Sequence, residues 1–245
     1  MLNFLPFNLQ FLRFYFSHYQ YSAKRSAVLY LKDSDMEFRN RAVAGKLLAE
    51  KLSKYANDKS VIVLALPRGG IIIANEIAKT LNCELDLVIT RKIGAPDNPE
   101  FAVCVVDEQG NETCNEMERK RINSEWFMQA KKNEMTEAKR RREIYRSGRK
   151  ELNLEGKKVI LADDGIATGL TMLGAIEQVR AQKPNKIIVA VPVSPDDSAK
   201  RIDSIVDEFV FLKKDLEFKS SVGSYYDEFP QVSDDEVIKI MKNSI

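Results

Sequence analysis

The sequence predicts an α/β fold built on an open, mostly parallel, twisted sheet flanked by helices. Short aliphatic runs alternate with segments of helical periodicity, and the links between them are short. The aliphatic runs are continuous rather than alternating, which is typical of parallel strands covered on both faces. With 245 residues, 44% hydrophobic and 30% charged, the composition is that of a globular protein.

The first 35 residues differ from the rest. They are crowded with Phe, Leu and Tyr, but polar residues interrupt the run, which is too short and too broken for a membrane-spanning helix. A basic start and a small-residue cleavage site are missing, which argues against a signal peptide. We interpret 1–35 as an extension to a domain at 36–245: an interaction segment, an interfacial anchor, or sequence upstream of a true start at Met36. Against the last reading, Ser34 and Glu37 fit a capping box.

The first half of the domain alternates helix and strand. Periodic apolar residues predict a helix over 37–56, with Val43, Leu47, Leu48 and Leu52 on one side. The run VIVLAL at 61–66 predicts a buried strand, PRGG breaks it, and 71–81 reads as a helix. LDLVIT at 85–90 predicts the second strand, which ends in Arg91 and Lys92.

The second half begins with a predicted β-hairpin over 101–113 that turns at Gln109–Asn111. A long, highly charged helical insertion follows at 115–147. Further strands are expected at 157–163, 186–193 and 208–212, and a helix at 170–182 has Leu173, Ile176 and Val179 on one face. The tail 213–245 is acidic and aromatic.

Rare residue types exclude several chemistries. The one histidine, His18, lies in the N-terminal segment, so a catalytic triad or a histidine-rich zinc site is not expected. The three cysteines, Cys83, Cys104 and Cys114, form no CxxC pair and are odd in number. We therefore expect three reduced, buried thiols and a cytoplasmic protein. Chemistry must then use carboxylates, cations, backbone amides and a borrowed metal ion.

Three polar clusters follow predicted strands: Pro67–Gly70, Arg91-Lys92 and Asp163–Thr171. In open α/β sheets ligands bind beyond the carboxyl ends of the strands, so the three clusters are expected to converge. The convergence is stronger evidence for a site than any one cluster.

The stretch VILADDGIATGLTM at 159–172 fits a sugar phosphate. Gly165 and Gly169 permit tight turns, and the amides of 167–171 together with two hydroxyls can surround a phosphate at the start of the following helix. Asp163 and Asp164, just upstream, can accept hydrogen bonds from vicinal sugar hydroxyls.

This stretch resembles the PRPP (phosphoribosyl pyrophosphate) loop of the type I phosphoribosyltransferases, in which a strand, two acids and a phosphate loop occur in this order. ALPRGGIIIANEIA, VITRKIGAPDNPEFAV and SVGSYYDEFPQVSDDEV resemble a subgroup whose substrate is undefined. The resemblance covers about residues 37–240 and leaves out the N-terminal segment. It implies the type I phosphoribosyltransferase fold with a small hood.

The resemblance also implies roles for individual residues. Asp163 and Asp164 would bind the ribose hydroxyls, with Mg²⁺ nearby on substrate and water oxygens rather than in a protein cage. The 5-phosphate would lie on Ala167, Thr168, Gly169, Leu170 and Thr171. Pyrophosphate would contact Arg68, Gly69, Gly70, Arg91 and Lys92.

Catalytic groups and base contacts are less defined by the sequence. Arg91, Lys92 and Glu100 are the candidates for catalysis. Tyr225, Tyr226 and Phe229 would either stack on a base or pack the hood. Some purine enzymes of this family have a third acid where this chain has Ala167, which makes hypoxanthine or guanine less favoured.

The implied function is transfer of the phosphoribosyl group of PRPP to a nitrogen nucleophile, with a nucleobase expected as the acceptor. The alternative is a regulatory protein that senses PRPP or a nucleotide without turnover. A phosphorylated receiver domain is disfavoured by the ATGLT loop.

The basic run KRRR at 139–142 has several interpretations. It would lie on a solvated helix, attract anionic PRPP to the site, belong to a mobile hood that covers the reaction, or bind RNA, although a nucleic-acid partner is not expected. A homodimer is left open.

Overall fold

The computed structural model describes residues 38–215, 217–219 and 221–244. The predictions for residues 1–35, including the alternative start and the cap at Ser34, lie outside these residues. Within the described part of the chain, no helix is long and apolar enough to cross a bilayer.

The main sheet confirms the expected open α/β architecture. Five strands are all parallel and lie in the order β2-β1-β6-β7-β8. All five residues of β1 are buried, as the continuous apolar run required. The strands are β1 Val61–Ala65, β2 Glu84–Leu87, β6 Lys158–Ala162, β7 Lys186–Pro195 and β8 Glu208–Asp215.

Seven α-helices are present among the described residues, with short 3₁₀ turns at Ser53–Tyr55 and Val222–Tyr225. The helices at Asp196–Asp203 and Asp234–Asn243 were not predicted, and the aromatic, proline-containing tail hides the periodicity of the second. The helices are α1 Arg41–Lys51, α2 Gly70–Leu81, α3 Glu116–Arg119, α4 Ser124–Arg146, α5 Leu170–Arg180, α6 Asp196–Asp203 and α7 Asp234–Asn243.

The first helix differs from its prediction. It begins at Arg41 because the side chain of Asn40 caps it by accepting a hydrogen bond from the amide of Val43 (3.1 Å). Val43, expected on the buried side, is 37% exposed. The buried face follows Gly45, where an added Cβ would lie 2.9 Å from the Cβ of Glu76 in α2. Leu48 and Leu52 are buried as predicted, and the close contact of Gly45 with α2 turns Val43 toward solvent.

A second, three-stranded antiparallel sheet forms the hood, in the order β3-β4-β5. Its strands are β3 Arg91–Gly94, β4 Ala102–Val106 and β5 Glu112–Cys114. The predicted hairpin is confirmed as β4 and β5. The prediction that one strand runs through residue 90 is wrong, because the chain leaves the main sheet after Val88, whose amide still bonds to the carbonyl of Ala65 (3.1 Å).

The charged insertion is helical, as predicted, but is broken into α3 and α4. Asn123 restarts the helix by accepting a hydrogen bond from the amide of Trp126 (3.0 Å). Phe127 of α4 is fully buried in an apolar cluster with Ile93, Cys104 and Val106 of the hood sheet. The insertion is thus the support of the hood rather than a fully solvated helix.

The cysteine prediction is wrong for two of the three residues. Cys104 and Cys114 form a disulfide, with Cα atoms 4.0 Å apart. The physical reason is the hairpin register, which places these two residues directly opposite each other on β4 and β5. Cys83 is a buried free thiol, and burial raises its pKa.

We predict that reductant destabilises the protein through this disulfide. A crosslink closing a loop of about this length contributes about 2–3 kcal/mol, so dithiothreitol should lower Tm by roughly 5–10 °C. Differential scanning calorimetry with and without reductant measures the effect. Cys104→Ala should abolish the response and Cys83→Ala should keep it. Three titratable thiols in the unreduced, unfolded protein would contradict the prediction.

Candidate functional site

Two of the three predicted clusters meet at one point of the sheet. The chain runs from β1 outward to β2 and from β6 outward to β7 and β8, so the order of strands reverses between β1 and β6. Such switch points leave a crevice beyond the carboxyl ends of the strands. Residues 67–70 follow β1 and residues 163–171 follow β6, and the amide of Leu66 bonds to the carbonyl of Ala162 (3.0 Å).

The glycines of the first loop allow the two loops to touch. A Cβ on Gly70 would lie 2.7 Å from the carbonyl oxygen of Ala162 and 2.9 Å from Oδ1 of Asp163. A Cβ on Gly69 would lie 1.9 Å from Oδ2 of Asp164. The Pro67–Arg68 peptide in this loop is cis. Only a loop without side chains at 69 and 70 fits against the acid pair.

The acid pair is held in a low-dielectric position. Oδ1 of Asp163 accepts a hydrogen bond from the amide of Asp164 (2.8 Å). Burial raises the pKa of Asp163 well above its usual value, and the neighbouring charge of Asp164 raises it further. Burial also raises the pKa of Asp164, although the charge and hydrogen bond of Arg41 oppose that rise. Burial has removed water from the two carboxyl groups. The pair is therefore suited to accept hydrogen bonds from a ligand in place of those from water.

The second loop presents amides at the start of α5. Gly169 is the N-cap residue, with φ +78°, and no described side chain caps this helix. The uncapped first turn offers backbone donors and the positive end of the helix dipole to an anion. Thr168 is exposed and Thr171 is half-buried. Ser198 of α6 fixes the loop by donating to the carbonyl of Ala167 (2.9 Å).

A segment near the C-terminus, residues 222–234, encloses the acid pair; we name it the C-terminal collar. Val222 lies against Gly165, where an added Cβ would be 2.5 Å from its Cγ1. The hydroxyl of Tyr226 donates to the carbonyl of Asp164 (2.6 Å). The sequence located the aromatic residues of this segment but gave no signal for their partners.

Arg41 is a site residue that the sequence analysis missed. Its Nε lies 2.7 Å from Oδ2 of Asp164, its Nη1 donates to the carbonyl of Pro230 (2.8 Å), and its guanidinium lies 3.6 Å from the ring centroid of Phe229. The residue is 6% exposed. Nothing in the helix pattern around residue 41 points to an acid 123 positions later.

Arg68 is linked to the charged insertion through Asp234. Asp234 Oδ1 is 3.5 Å from Nη1 of Arg68 and accepts a hydrogen bond from the hydroxyl of Tyr145 (2.6 Å). Its Oδ2 accepts from Nη2 of Arg140 (3.0 Å). Burial and then Asp234 raise the pKa of Tyr145 to about 12, and the hydrogen bond from Tyr145 lowers the pKa of Asp234. The KRRR run therefore reaches the first loop through one of its arginines.

The third cluster divides between two faces of the hood sheet. Arg91 and Lys92 are neighbours in β3, so their side chains point in opposite directions. Arg91 pairs with Glu134 of α4 (2.7 Å). Lys92 lies opposite Val105, on the face that packs against Gly174 of α5. The structure thus gives the two cations different surroundings.

Glu100 is the ionic partner of Lys92, with 2.9 Å between Oε2 and Nζ. This hydrogen bond lowers the pKa of Glu100, which is consequently ionised at neutral pH. Its side chain is 92% exposed.

The three aromatic residues do not form one stacking surface. Tyr225 is fully buried, and its hydroxyl donates to Asp215 (2.7 Å). Tyr226 is buried at the acid pair. Phe229 is half-buried, and one face of its ring is covered by Arg41.

A cavity of about 620 Å³ lies elsewhere, between the hood hairpin and α5. Its lining includes Thr90, Asp107, Glu112, Gly174 and Gln178 but none of the loop residues described above. The predicted motifs therefore do not converge on this cavity, although it is large.

Comparison with known proteins agrees with this geometry. The model of the family described as Phosphoribosyl transferase domain matches residues 37–228. The chain belongs to this family. The match includes α1, both loops, the acid pair and residues 222–228 of the C-terminal collar, whereas Phe229, Pro230 and Asp234 lie beyond it.

Individual relatives give the same result. A Mycobacterium tuberculosis protein, named "Putative phosphoribosyl transferase" in two strains, is 37% identical over 206 residues, which are 83% of this chain. The chain spans about half of that relative's length (46%). The crystal structure of TT1426 from Thermus thermophilus has 37% identity and a TM-score of 0.70, over 84% of this chain and 98% of that one.

A more distant relative is the Tritrichomonas foetus hypoxanthine-guanine-xanthine phosphoribosyltransferase, 22% identical over 89% of this chain and 92% of that protein. The regulatory alternative, a sensor without turnover, has no support in these comparisons.

We predict that Asp163→Asn stabilises the protein at neutral pH. A carboxyl whose pKa is raised by folding stabilises the fold most below its ordinary pKa of 3.8, and this contribution is lost as pH rises through the folded-state value. An asparagine oxygen can still accept from the amide of Asp164 and carries no charge. Each 1 kcal/mol recovered raises Tm by about 2–4 °C.

The measurement is thermal unfolding of both proteins between pH 4 and pH 8. The gain should be larger at pH 7 than at pH 4. Exposed Asp203→Asn is the matched control and should change Tm little at either pH. An Asp163→Asn variant that is less stable than the parent at pH 7 would contradict the prediction.

Proposed function

We propose that this protein transfers the 5-phosphoribosyl group of PRPP to a nitrogen nucleophile and releases pyrophosphate. The observation that carries the proposal is the contact between the PRGG loop and the acid pair at the switch point, beside the uncapped start of α5. A ligand spanning this crevice needs an anionic group at each end and hydroxyls between them, and PRPP has these features.

The three parts of PRPP are assigned to three groups of residues. The 5-phosphate lies on the amides and hydroxyls of the loop 167–171, where the helix start favours an anion. The ribose hydroxyls donate to Asp163 and Asp164. The pyrophosphate lies along Gly69 and Gly70, which leave room for backbone donors, and Arg68 supplies positive charge.

The reaction breaks the bond between the anomeric carbon and the pyrophosphate oxygen and forms a bond from that carbon to nitrogen. Positive charge develops on the sugar and negative charge on the leaving group, so placement and electrostatic stabilisation dominate catalysis. Arg68 stabilises the leaving pyrophosphate. Lys92, which pairs with Glu100 (2.9 Å), is the second cation proposed for this task. Glu100, ionised beside Lys92, is the proposed acceptor of the nucleophile's proton.

Mg²⁺ fits this donor set only as an ion carried largely by the substrate. Among the described residues no group of three or more His, Cys, Asp or Glu side chains could hold a metal. Asp163 and Asp164 supply hard oxygen donors, and Arg41 already occupies one of them. Mg²⁺ would neutralise charge on the pyrophosphate, and the two aspartates would hold it together with the ribose hydroxyls.

A nucleobase is the proposed acceptor. The support is the Tritrichomonas foetus relative, whose name gives purine bases as substrates. Ala167 occupies the place of the third acid of some purine enzymes, so the chain lacks that group toward the base. Phe229 packs against Arg41 and against the ring of Tyr226, with 4.9 Å between the two ring centroids, so stacking on this ring is not part of the proposal.

We predict that PRPP with Mg²⁺ raises Tm by roughly 5–10 °C, because ligand at 100 times its Kd adds about 2.7 kcal/mol to the folded state. Asp164→Asn and Thr168→Val should each remove most of the shift. Their controls, Asp203→Asn and Thr136→Val, alter an exposed acid and an exposed threonine outside both loops and should retain it.

The second stage is pyrophosphate release from PRPP with a panel of purine and pyrimidine bases. Release with one base, lost in both loop variants, supports the transferase. A full PRPP shift without release for any base would overturn the nucleobase acceptor. The absence of a shift with PRPP would overturn the site.

A further inference from the structure

Arg41 is placed where an arginine is unfavourable. It is the first residue of α1, so its charge lies at the positive end of the helix dipole. The side chain is 7% exposed and has lost most of its hydration. A residue that opposes both local rules is a sign of a function that outweighs its cost.

Arg41 donates a hydrogen bond to one carboxylate oxygen of the acid pair. Nε lies 2.7 Å from Oδ2 of Asp164, whose side chain is 16% exposed. The same oxygen lies over Gly69, 1.9 Å from the position that a Cβ would take. Oδ2 is therefore fixed between the guanidinium and the first loop, and the hydrogen bond from Nε is made to Oδ2 rather than to Oδ1.

The C-terminal collar fixes the guanidinium in turn. The carbonyl of Pro230 accepts from Nη1 (2.8 Å), and the ring of Phe229 lies 3.6 Å below the guanidinium carbon. A planar guanidinium satisfies an ion pair, a carbonyl and a ring at once, which an ammonium cannot do. The orientation of Asp164 thus depends on a chain of contacts from the collar through Arg41.

We propose that Arg41 is a positioning residue that holds Oδ2 of Asp164 so that Oδ1 faces the ribose of PRPP. This inference rests on the proposed function and adds to it a residue outside the recognised loops. Its contacts are with Asp164 and the collar, and its Nε would lie 3.3 Å from a Cβ on Gly69 of the first loop.

The experiment compares two ligands by titration calorimetry with Mg²⁺. PRPP contains the ribose, whereas inorganic pyrophosphate contacts only the first loop. Arg41→Met should weaken PRPP binding at least tenfold and weaken pyrophosphate binding by a clearly smaller factor, because the guanidinium also lies beside Gly69. Arg41→Lys should rescue only in part, because it keeps the charge but not the planar contacts.

A double-mutant cycle tests whether Arg41 acts through Asp164. In an Asp164→Asn background, Arg41→Met should change PRPP affinity less than twofold, since the carboxylate it orients is gone. This pair of variants also leaves no unpaired buried carboxylate at residue 164, so it keeps the test valid should Arg41→Met alone fail to fold.

Arg146→Met is the matched control, because Arg146 is likewise buried and paired with a buried acid, Asp86, at 3.1 Å. It should lower Tm and leave PRPP affinity within twofold. Equal losses for PRPP and pyrophosphate in Arg41→Met, additive losses in the cycle, or unchanged PRPP affinity would each overturn the inference. A parent protein that binds pyrophosphate but not PRPP would overturn the proposed function itself.

Discussion

The parallel pairing of β1 with β6 is the constraint on which the candidate site depends. Ala65 and Ala162 are register partners, so the two loops that follow them leave the sheet side by side. A shift of this register would move the PRGG loop along the acid pair and separate the glycines from the carboxylates. Both strands are buried in the core of the main sheet, so a polar site is built on the carboxyl ends of two apolar strands.

The pairing of β1 with β6 also brings charged groups close together, and their repulsion has to be compensated by opposite charges. Two adjacent carboxylates at a buried strand end repel each other, and one buried arginine compensates a single charge of the two. The C-terminal collar holds that arginine, and Asp234, at the end of the same collar, approaches the arginine of the first loop. In the free protein, the buried acid pair therefore lacks part of the hydrogen bonding and charge compensation it needs, which lowers the stability of the fold. A ligand with hydroxyl donors can restore that stability by hydrogen bonding to the carboxylates.

The sequence predicted those features that depend on local pattern. Strand order in the chain, the hairpin, and the identity of both loops follow from apolar runs and glycine spacing. Arg41, Pro230 and Asp234 were missed, and so was the partner of Tyr226, because these roles depend on contacts between segments far apart in the chain. The disulfide was missed for a related reason, since only the register of β4 and β5 places Cys104 opposite Cys114. The separation of Arg91 from Lys92 could not be predicted without knowing that both residues lie on a strand of the hood sheet, where the side chains of adjacent residues face opposite sides.

The measurement that tests the central claim most directly is a crystal structure of the protein with PRPP and Mg²⁺. The account predicts the 5-phosphate within hydrogen-bond distance of the amides of 168–171, the ribose hydroxyls on Asp163 and Asp164, and the pyrophosphate beside Gly69 and Gly70. Electron density for PRPP in the cavity between the hood hairpin and α5, with the switch-point crevice empty at saturating ligand, would contradict it.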